Sequence, residues 1–177
     1  MIFEFFGRIR KGKTFSAIYL AKAFLEKDKK ALVISNLKLN NIKYMPYTQF
    51  VEEYDKIIEN DDNKIFILDE AYLRADSRRS GSKKNIDFTD VVLQSGKNNI
   101  DIIMTSQLYN QPDVRIRYQC EFFIEPFLNK TTKSLEWKIY KTESDILYGN
   151  IFKTLKIKNI KIDKFFDDYN TYEIIKR

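Results

Sequence analysis

The sequence contains no histidine, one cysteine, five glycines and three prolines. The absence of histidine excludes a histidine-ligated metal site, a histidine general base and a Ser-His-Asp triad. A single cysteine cannot build a disulfide framework, and Cys120, inside the apolar run CEFFIEPF, is predicted to be a buried core thiol. No apolar run approaches the ~18 residues of a membrane helix, and the N-terminus opens directly into a strand. We therefore expect no membrane span, no secretory signal and an intracellular protein.

The composition is that of a globular chain, with 44% hydrophobic and 32% charged residues over 177 positions. Thirty-one Lys and Arg against twenty-five Asp and Glu give a formal charge of +6. This charge permits a polyanionic partner, but it fits a well-solvated Lys/Glu surface equally well, because the charges are scattered. We predict one domain over residues 1–177, with a core at 1–128 and a β-rich extension at 129–177.

Two of the five glycines fall in the run G-R-I-R-K-G-K-T, which fits the phosphate-loop pattern G-x-x-x-x-G-K-[ST]. Such glycines let successive backbone N–H groups turn inward and bind an anion, and the next helix adds its positive dipole end. A short apolar strand at 2–6 and a helix at 15–26 supply the required flanks. A chance match in a Lys-rich loop is the alternative. The predicted nucleotide-binding residues are Gly7, Arg8, Ile9, Arg10, Lys11, Gly12, Lys13, Thr14 and Phe15.

The run K-I-F-I-L-D-E at 64–70 predicts a strand buried on both faces that ends in two carboxylates. Open α/β sheets bind ligands at the carboxyl ends of their strands. Beside a phosphate loop whose Thr14 hydroxyl can ligate Mg²⁺, Asp69 would hold the metal through its waters, and Glu70 would polarise the attacking water. The alternative is that the acidic pair merely ends a strand at the surface.

Further elements suit a mostly parallel sheet. A strand at 31–35 completes a βαβ unit, and residues 36–47 are predicted to be irregular with at most one short strand. Thr48 is predicted to cap a helix that reaches about residue 60, and a second helix is expected at 87–96. A buried strand at 100–107 ends in Gln107. If that strand lies between the loop strand and the acidic strand, Gln107 can sense the γ-phosphate; an ordinary strand-end glutamine is the alternative.

Two basic stretches follow the acidic strand. Residues 74–85 are predicted to form a polar loop near the nucleotide or a bound polyanion, with an ordinary solvated linker as the alternative. Its candidate contacts to DNA or to a neighbouring subunit are Arg74, Arg78 and Arg79. Residues 112–118 are predicted to form a short turn or helix that carries Arg115 and Arg117 exposed. Arginine suits charge stabilisation on a transferring phosphoryl group, although plain surface solvation explains the spacing as well.

The last third of the chain changes to an alternating pattern. A strand at 120–127 is followed by predicted antiparallel strands at 135–140 and 146–157, which would extend one sheet edge or form a hairpin. The tail at 165–175 is aromatic and acidic.

The order of GRIRKGKT, FILDEA, the basic D-S-R-R-S-G-S, IIMTSQ and VRIRYQCEFFI resembles the HerA/FtsK branch of P-loop ATPases. Within this branch, the chain is most similar to short archaeal virus and plasmid ATPases. These include DNA-packaging ATPases and zonular-occludens-toxin-like morphogenesis proteins. The resemblance covers roughly residues 2–127 and the tail D-D-Y-N-T-Y-E. It implies an α/β, RecA-like (ASCE-type) P-loop NTPase fold with a mostly parallel sheet, flanking helices and C-terminal antiparallel strands.

The resemblance also implies ATP and Mg²⁺ as cofactors and a role for each site residue. Lys13 and Thr14 correspond to the phosphate and Mg²⁺ contacts, Asp69 and Glu70 to the metal carboxylate and catalytic base, and Gln107 to the polar sensor. Arg117 is the first candidate for a finger that completes a neighbour's site, Arg115 the second and Arg78 the third. Family members are hexameric rings that translocate double-stranded DNA. Compared with the larger cellular relatives, we expect neither their N-terminal domain nor their membrane segments here.

The leading hypothesis is therefore a minimal ATP-driven motor that pumps DNA into a viral capsid. Such a protein would act in the host cytoplasm or associated with the virion, with a capsid component as a partner. A zonular-occludens-type ATPase for virion assembly or extrusion, acting with a membrane-anchored partner, is the second hypothesis. A nucleotide-dependent switch or a kinase is the third, although no clear substrate lid is visible in the sequence.

Overall fold

One mixed sheet of eight strands organises the part of the chain that the computed structural model describes, namely residues 1–59, 62–71 and 83–160, without the side chains of 83–88. Its order is β3-β2-β4-β5-β1-β6-β7-β8. The strands are β1 (Ile2–Phe6), β2 (Leu32–Ser35), β3 (Lys43–Tyr44), β4 (Lys64–Leu68), β5 (Ile100–Ser106), β6 (Phe122–Asn129), β7 (Ser134–Tyr140) and β8 (Lys153–Ile157).

Neighbouring strands from β3 to β6 run parallel, and the β6–β7 and β7–β8 pairs are antiparallel. The helices are α1 (Lys13–Lys27), α2 (Tyr47–Glu52), α3 (Tyr54–Ile58), α4 (Lys83–Gln94), α5 (Val114–Arg117) and α6 (Glu143–Tyr148). This is the predicted mostly parallel α/β architecture with antiparallel C-terminal strands. None of the helices in the described ranges is both long enough and apolar enough to cross a bilayer.

The apolar run of β4 is buried on both faces of the sheet. Phe66 and Ile67 are both fully buried, yet they belong to separate core clusters because successive strand residues point to opposite faces. Phe66 packs edge-on against Phe50 of α2, with ring centroids 4.4 Å apart. Ile67 belongs to the cluster that contains Ala17 and Ile18 of α1. A continuous apolar strand is therefore required here, as its sequence indicates.

The predicted helix at 48–60 is instead two short helices, α2 and α3. Pro46, not Thr48, is the residue at the N-cap, and its φ of −63° suits that position. Glu53 donates its N–H to the Gln49 carbonyl at 2.9 Å and then leaves helical geometry at φ −99° and ψ 4°, which separates the two helices. The apolar stripe is nevertheless correct, because Phe50, Tyr54 and Ile57 are buried.

Two other boundaries differ from the sequence predictions. Helix α4 begins at Lys83 and ends at Gln94, so residues 83–85 of the predicted loop are helical, and a 3-10 turn, Ser95–Asn98, follows in place of a stop at Gly96. The predicted strand at 146–157 is α6 followed by β8. Thr142 and Asp145 form a reciprocal capping box that starts α6, and Gly149 at φ 72° ends it.

The remaining predicted elements are present with small shifts. Cys120 is buried, as expected for a core thiol. Strands β7 and β8 extend the same sheet beyond β6. Helix α5 supplies the predicted short helix before β6. The tail at 165–175 lies outside the described residues.

Candidate functional site

The loop between β1 and α1 takes left-handed backbone conformations at three residues: Gly7 (φ 132°), Arg10 (φ 68°) and Gly12 (φ 90°). Gly12 is the N-cap of α1, and its carbonyl accepts the N–H of Ser16 at 2.8 Å. A Cβ atom at Gly12 would lie only 2.6 Å from the Cβ of Leu128, too close for any side chain. Glycine is therefore required at position 12 by both the backbone conformation and the packing.

The carboxyl end of β6 holds this loop from the side. Leu128 donates its backbone N–H to the Lys11 carbonyl at 3.1 Å. The Lys11 ammonium lies 4.6 Å from the centroid of the Phe127 ring, a cation–π contact. Neither β6 residue is predicted from the sequence, because the loop motif carries no information about a strand more than a hundred positions away.

Lys13 is turned back onto the loop and donates from Nζ to the Arg8 carbonyl at 3.2 Å. Partial burial lowers the pKa of the Lys13 ammonium, and the negative charges of Asp69 and Glu70 act in the opposite direction. The lysine, the loop and the acidic pair thus share one electrostatic environment.

Thr14 and Asp69 meet across 55 positions of sequence, with Thr14 Oγ1 donating to Asp69 Oδ1 at 2.7 Å. Asp69 is buried, and burial raises its pKa; the hydrogen bonds from Thr14 and Thr105 and the charge of Lys13 act to lower it. A hydroxyl and a carboxylate in contact are hard oxygen ligands. They fit Mg²⁺ in sites that are completed by substrate phosphates. The pair predicted to hold the metal is therefore together.

Asn36, at the end of β2, fixes the backbone of Asp69 in a two-way contact. Its Nδ2 donates to the Asp69 carbonyl at 2.9 Å, and its Oδ1 accepts the Asp69 N–H at 2.8 Å. Asn36 is not among the residues predicted from the sequence. Its position directly after a buried strand, at the same sheet edge as Asp69, can be read from the sequence, but its contact with Asp69 cannot.

Glu70 follows Asp69 in a left-handed conformation, with φ 51°. Non-glycine residues seldom adopt this conformation, and it redirects the side chain as the chain leaves β4. The Glu70 N–H donates to Thr105 Oγ1 at 2.9 Å. Glu70 is partly exposed, unlike the buried Asp69.

Gln107 directly follows β5, which lies between β4 and β1 as predicted. Its N–H and that of Leu108 donate to Gln111 Oε1 at 2.9 and 3.0 Å, so a tight turn begins at this strand end. The strand order places Gln107 at the carboxyl edge with the loop and the acidic pair. Its role as a γ-phosphate sensor stays a prediction.

The two candidate finger arginines are less exposed than predicted. Arg117 donates from Nε to the Pro112 carbonyl at 3.0 Å and pairs with Glu143; its side chain is 14% exposed. The Arg115 side chain is 39% exposed and pairs with the buried Asp113 at 2.9 Å. Their order of candidacy as fingers stays a prediction. Arg74, Arg78 and Arg79 of the basic loop lie outside the described residues.

The Arg117–Glu143 pair lies towards the amino ends of β1 and β6. Glu143 comes three residues after Tyr140, which pairs with Phe123 near the start of β6. The phosphate loop follows the other, carboxyl end of β1. In strand register Glu143 therefore lies near the start of β6, whereas the phosphate loop follows the end of β1.

No protein-family model matches the chain, and no curated protein matches it by sequence. Solved structures do match. The N-terminal domain of zonular occludens toxin from Neisseria meningitidis aligns with a TM-score of 0.61 at 17% identity, over 96% of this chain and 98% of that chain. The genome-packaging NTPase B204 of Sulfolobus turreted icosahedral virus 2, in complex with ATP-gammaS, aligns with a TM-score of 0.60 at 12% identity. That alignment covers 90% of this chain and 97% of that chain.

The chain has the fold of a P-loop NTPase. The flagellar accessory protein FlaH of Methanocaldococcus jannaschii also aligns, with a TM-score of 0.50 at 18% identity over 89% of this chain and 84% of that chain. Both groups named by the sequence resemblance, packaging ATPases and zonular-occludens-toxin-like proteins, are among these structural neighbours. At such identities the likeness concerns the fold alone, and membership of the HerA/FtsK branch stays a prediction.

Proposed function

We propose that this protein is an ATPase whose hydrolysis powers the translocation or packaging of double-stranded DNA. The observation that carries the proposal is the 2.7 Å hydrogen bond from Thr14 to Asp69, which joins the phosphate loop to the acidic strand end. The viral packaging NTPase that shares this fold is known in complex with ATP analogues. This supports ATP as the ligand of the present site.

Each residue of the site has a part in this chemistry. The loop N–H groups and Lys13 bind the β- and γ-phosphates, and Thr14 and Asp69 hold Mg²⁺. When bound, Mg²⁺ neutralises the charge on the phosphate oxygens. Glu70 accepts a hydrogen bond from the attacking water and orients it in line with the γ-phosphate, and Gln107 contacts the same phosphate. Phosphoryl transfer depends mainly on such positioning and charge stabilisation.

The motor function requires an assembly of subunits. In the proposed homo-oligomer, a hexameric ring, Arg117 or Arg115 of one subunit approaches the nucleotide of the next. The net charge of +6 suits a DNA polyanion. The genome-packaging function of the B204 neighbour supports packaging into a viral capsid, with action in the host cytoplasm or with the virion.

The test is ATP hydrolysis measured with and without double-stranded DNA, over a range of protein concentrations. The proposal expects hydrolysis that Lys13→Ala abolishes, that rises with assembly, and that DNA stimulates. DNA binding should weaken steeply with salt, because phosphate contacts release counterions. Hydrolysis unchanged in Lys13→Ala would exclude this site as an ATPase. An ATP hydrolysis rate that double-stranded DNA does not change would contradict the proposed DNA translocation, but not the ATPase activity.

A zonular-occludens-type role in virion assembly or extrusion, with a membrane-anchored partner, is the second candidate. The observation that favours it is the alignment of the Neisseria meningitidis toxin domain over 98% of its length. The site chemistry would be the same, so the active residues do not separate the two roles. An ATP hydrolysis rate that DNA does not change, but that a membrane-bound assembly partner increases, would favour this second role.

A further inference from the structure

The Thr105 hydroxyl connects the two carboxylate residues of the site. Its Oγ1 donates to Asp69 Oδ1 at 2.8 Å and accepts the Glu70 backbone N–H at 2.9 Å. A threonine hydroxyl has one proton to donate and lone pairs to accept, so a single atom serves both contacts. Thr105 is 1% exposed, so both contacts are shielded from bulk solvent.

We propose that Thr105 is a positioning residue for ATP hydrolysis, whose hydroxyl fixes Glu70 in its water-orienting direction beside the Asp69 carboxylate. This inference rests on the proposed ATPase function. Thr105 does not touch the nucleotide in this scheme. It acts through the two acidic residues.

The position of Thr105 in the sheet explains why it can do so. Strands β4 and β5 are paired in parallel up to Leu68 and Met104, so Thr105 is the next residue beside the acidic pair. The other hydroxyl on Asp69 Oδ1 comes from Thr14, which belongs to the phosphate loop. Thr105 therefore anchors Asp69 to the sheet, independently of the loop that binds nucleotide.

The contact to Glu70 matters because of that residue's backbone. With φ 51°, Glu70 is in a conformation that surrounding structure has to enforce. Asn36 holds the backbone of Asp69 on one side, and Thr105 holds the N–H of Glu70 on the other. Without the Thr105 hydroxyl, the Glu70 N–H loses this acceptor, and the left-handed turn that aims its carboxylate is weakened.

The experiment compares three variants with the wild type. Thr105→Val removes the hydroxyl at nearly constant size, Thr105→Ser keeps it, and Thr89→Val makes the same change at a buried threonine of α4, outside this cluster. Thr105→Ala serves as a second hydroxyl deletion if the valine variant does not fold. The measurements are kcat and KM for ATP, Mg²⁺-ATPγS affinity, and hydrogen exchange of the Glu70 amide by NMR.

In Thr105→Val we expect kcat to fall about 10–100-fold, the usual effect of losing a partner that orients a metal or catalytic ligand. KM for ATP should change little, because the phosphate loop is intact. The Glu70 amide should exchange faster than in the wild type. Thr105→Ser should restore both the rate and the amide protection, and Thr89→Val should leave both unchanged.

The positioning role would be overturned by a wild-type kcat in Thr105→Val, by a slow rate in Thr105→Ser, or by an unchanged Glu70 amide in a valine variant that is nevertheless slow. An equal loss of kcat in Thr89→Val would assign the effect to stability and would also overturn it. A wild-type protein without hydrolysis contradicts the proposed function instead. In that case the amide exchange still reports whether Thr105 holds Glu70.

Discussion

The Arg117 guanidinium donates to the Glu143 carboxylate, which links α5 before β6 to α6 after β7. A finger supplied in trans would complete the nucleotide site of a neighbouring subunit. Mixed oligomers test this directly. In a mixture, an Arg117→Ala subunit contributes an intact phosphate loop, and a neighbouring Lys13→Ala subunit contributes an intact Arg117. The mixture should therefore regain ATP hydrolysis that neither variant has alone.

Alone, Arg117→Ala should lose ~10³-fold or more in rate at concentrations where the protein assembles, as is typical for a finger. Glu143→Gln is the control, because it breaks the ion pair and keeps the arginine. If Glu143→Gln is as slow as Arg117→Ala, the pair is structural. If Arg117→Ala hydrolyses ATP like the wild type, Arg117 is no finger, and the same complementation with Arg115→Ala becomes the relevant experiment.

Gly12→Ala should abolish nucleotide binding while the rest of the chain remains folded. The added Cβ would lie 2.6 Å from Leu128, and a residue with a side chain is strained at φ 90°. Gly96→Ala is the matched control, because its Cβ would meet nothing within 4 Å. Binding of a fluorescent ATP analogue, together with thermal unfolding, measures both. Normal nucleotide binding by Gly12→Ala would show that β6 can shift to accommodate the added Cβ. It would also show that the loop does not depend on the close contact between Gly12 and Leu128.

The loop and the acidic strand could be predicted from sequence because each is local. The phosphate loop is set by glycines and a lysine within eight positions, and β4 by a continuous apolar run. The hydrogen-bond partners could not be found in this way. Leu128, Asn36 and Thr105 reach the site only through strand order and register, which depend on pairing between distant segments. Sequence places such residues at strand ends but does not reveal their contacts.

The errors have local causes as well. The helix at 48–60 divides because Glu53 leaves helical geometry, and nothing in its residue type marks that break. The alternating pattern at 146–157 predicts a strand, but its first part is helical. A capping box at Thr142 and Asp145 and the following Gly149 indicate this short helix. The arginines were expected at the surface because charge patterns do not show ion pairs with Asp113 and Glu143.

Glu4 should make the stability of the protein depend on pH. It is fully buried on β1, accepts a hydrogen bond from Ser106 Oγ at 2.5 Å, and burial raises its pKa from 4.5 to about 8. Between these values the folded state binds a proton that the unfolded state has released. The stabilising contribution is therefore complete below about pH 4.5 and is lost as pH rises towards about 8.

Glu4→Gln removes this titration, so its free energy of unfolding should exceed that of the wild type by ~2–4 kcal/mol near pH 8. The advantage should shrink as pH falls. Urea unfolding of both proteins from about pH 5 to pH 8 measures the difference. Parallel pH profiles for the two proteins would show that Glu4 titrates near its ordinary pKa.

Trp137 should couple the C-terminal strands to the helix of the site. Its Nε1–H on β7 donates to Ser16 Oγ of α1 at 3.0 Å, and both residues are buried. Trp137→Phe leaves the Ser16 hydroxyl without this donor and should lower the free energy of unfolding by ~1–3 kcal/mol. A double-mutant cycle with Ser16→Ala isolates the bond from the lost ring area. Additive effects would mean that the two side chains contribute independently.

The pairing of β1 has a consequence for biosynthesis. This first strand lies between β5 and β6, with Phe3 opposite both Ile103 and Phe122. The phosphate loop that follows it rests on Leu128. On the ribosome, the residues of the phosphate-loop motif emerge first. The strands that pack beside them, β5 and β6, are synthesised more than eighty residues later. A nascent chain stalled before β6 should therefore fail to bind nucleotide, although its whole glycine–lysine loop has already been made.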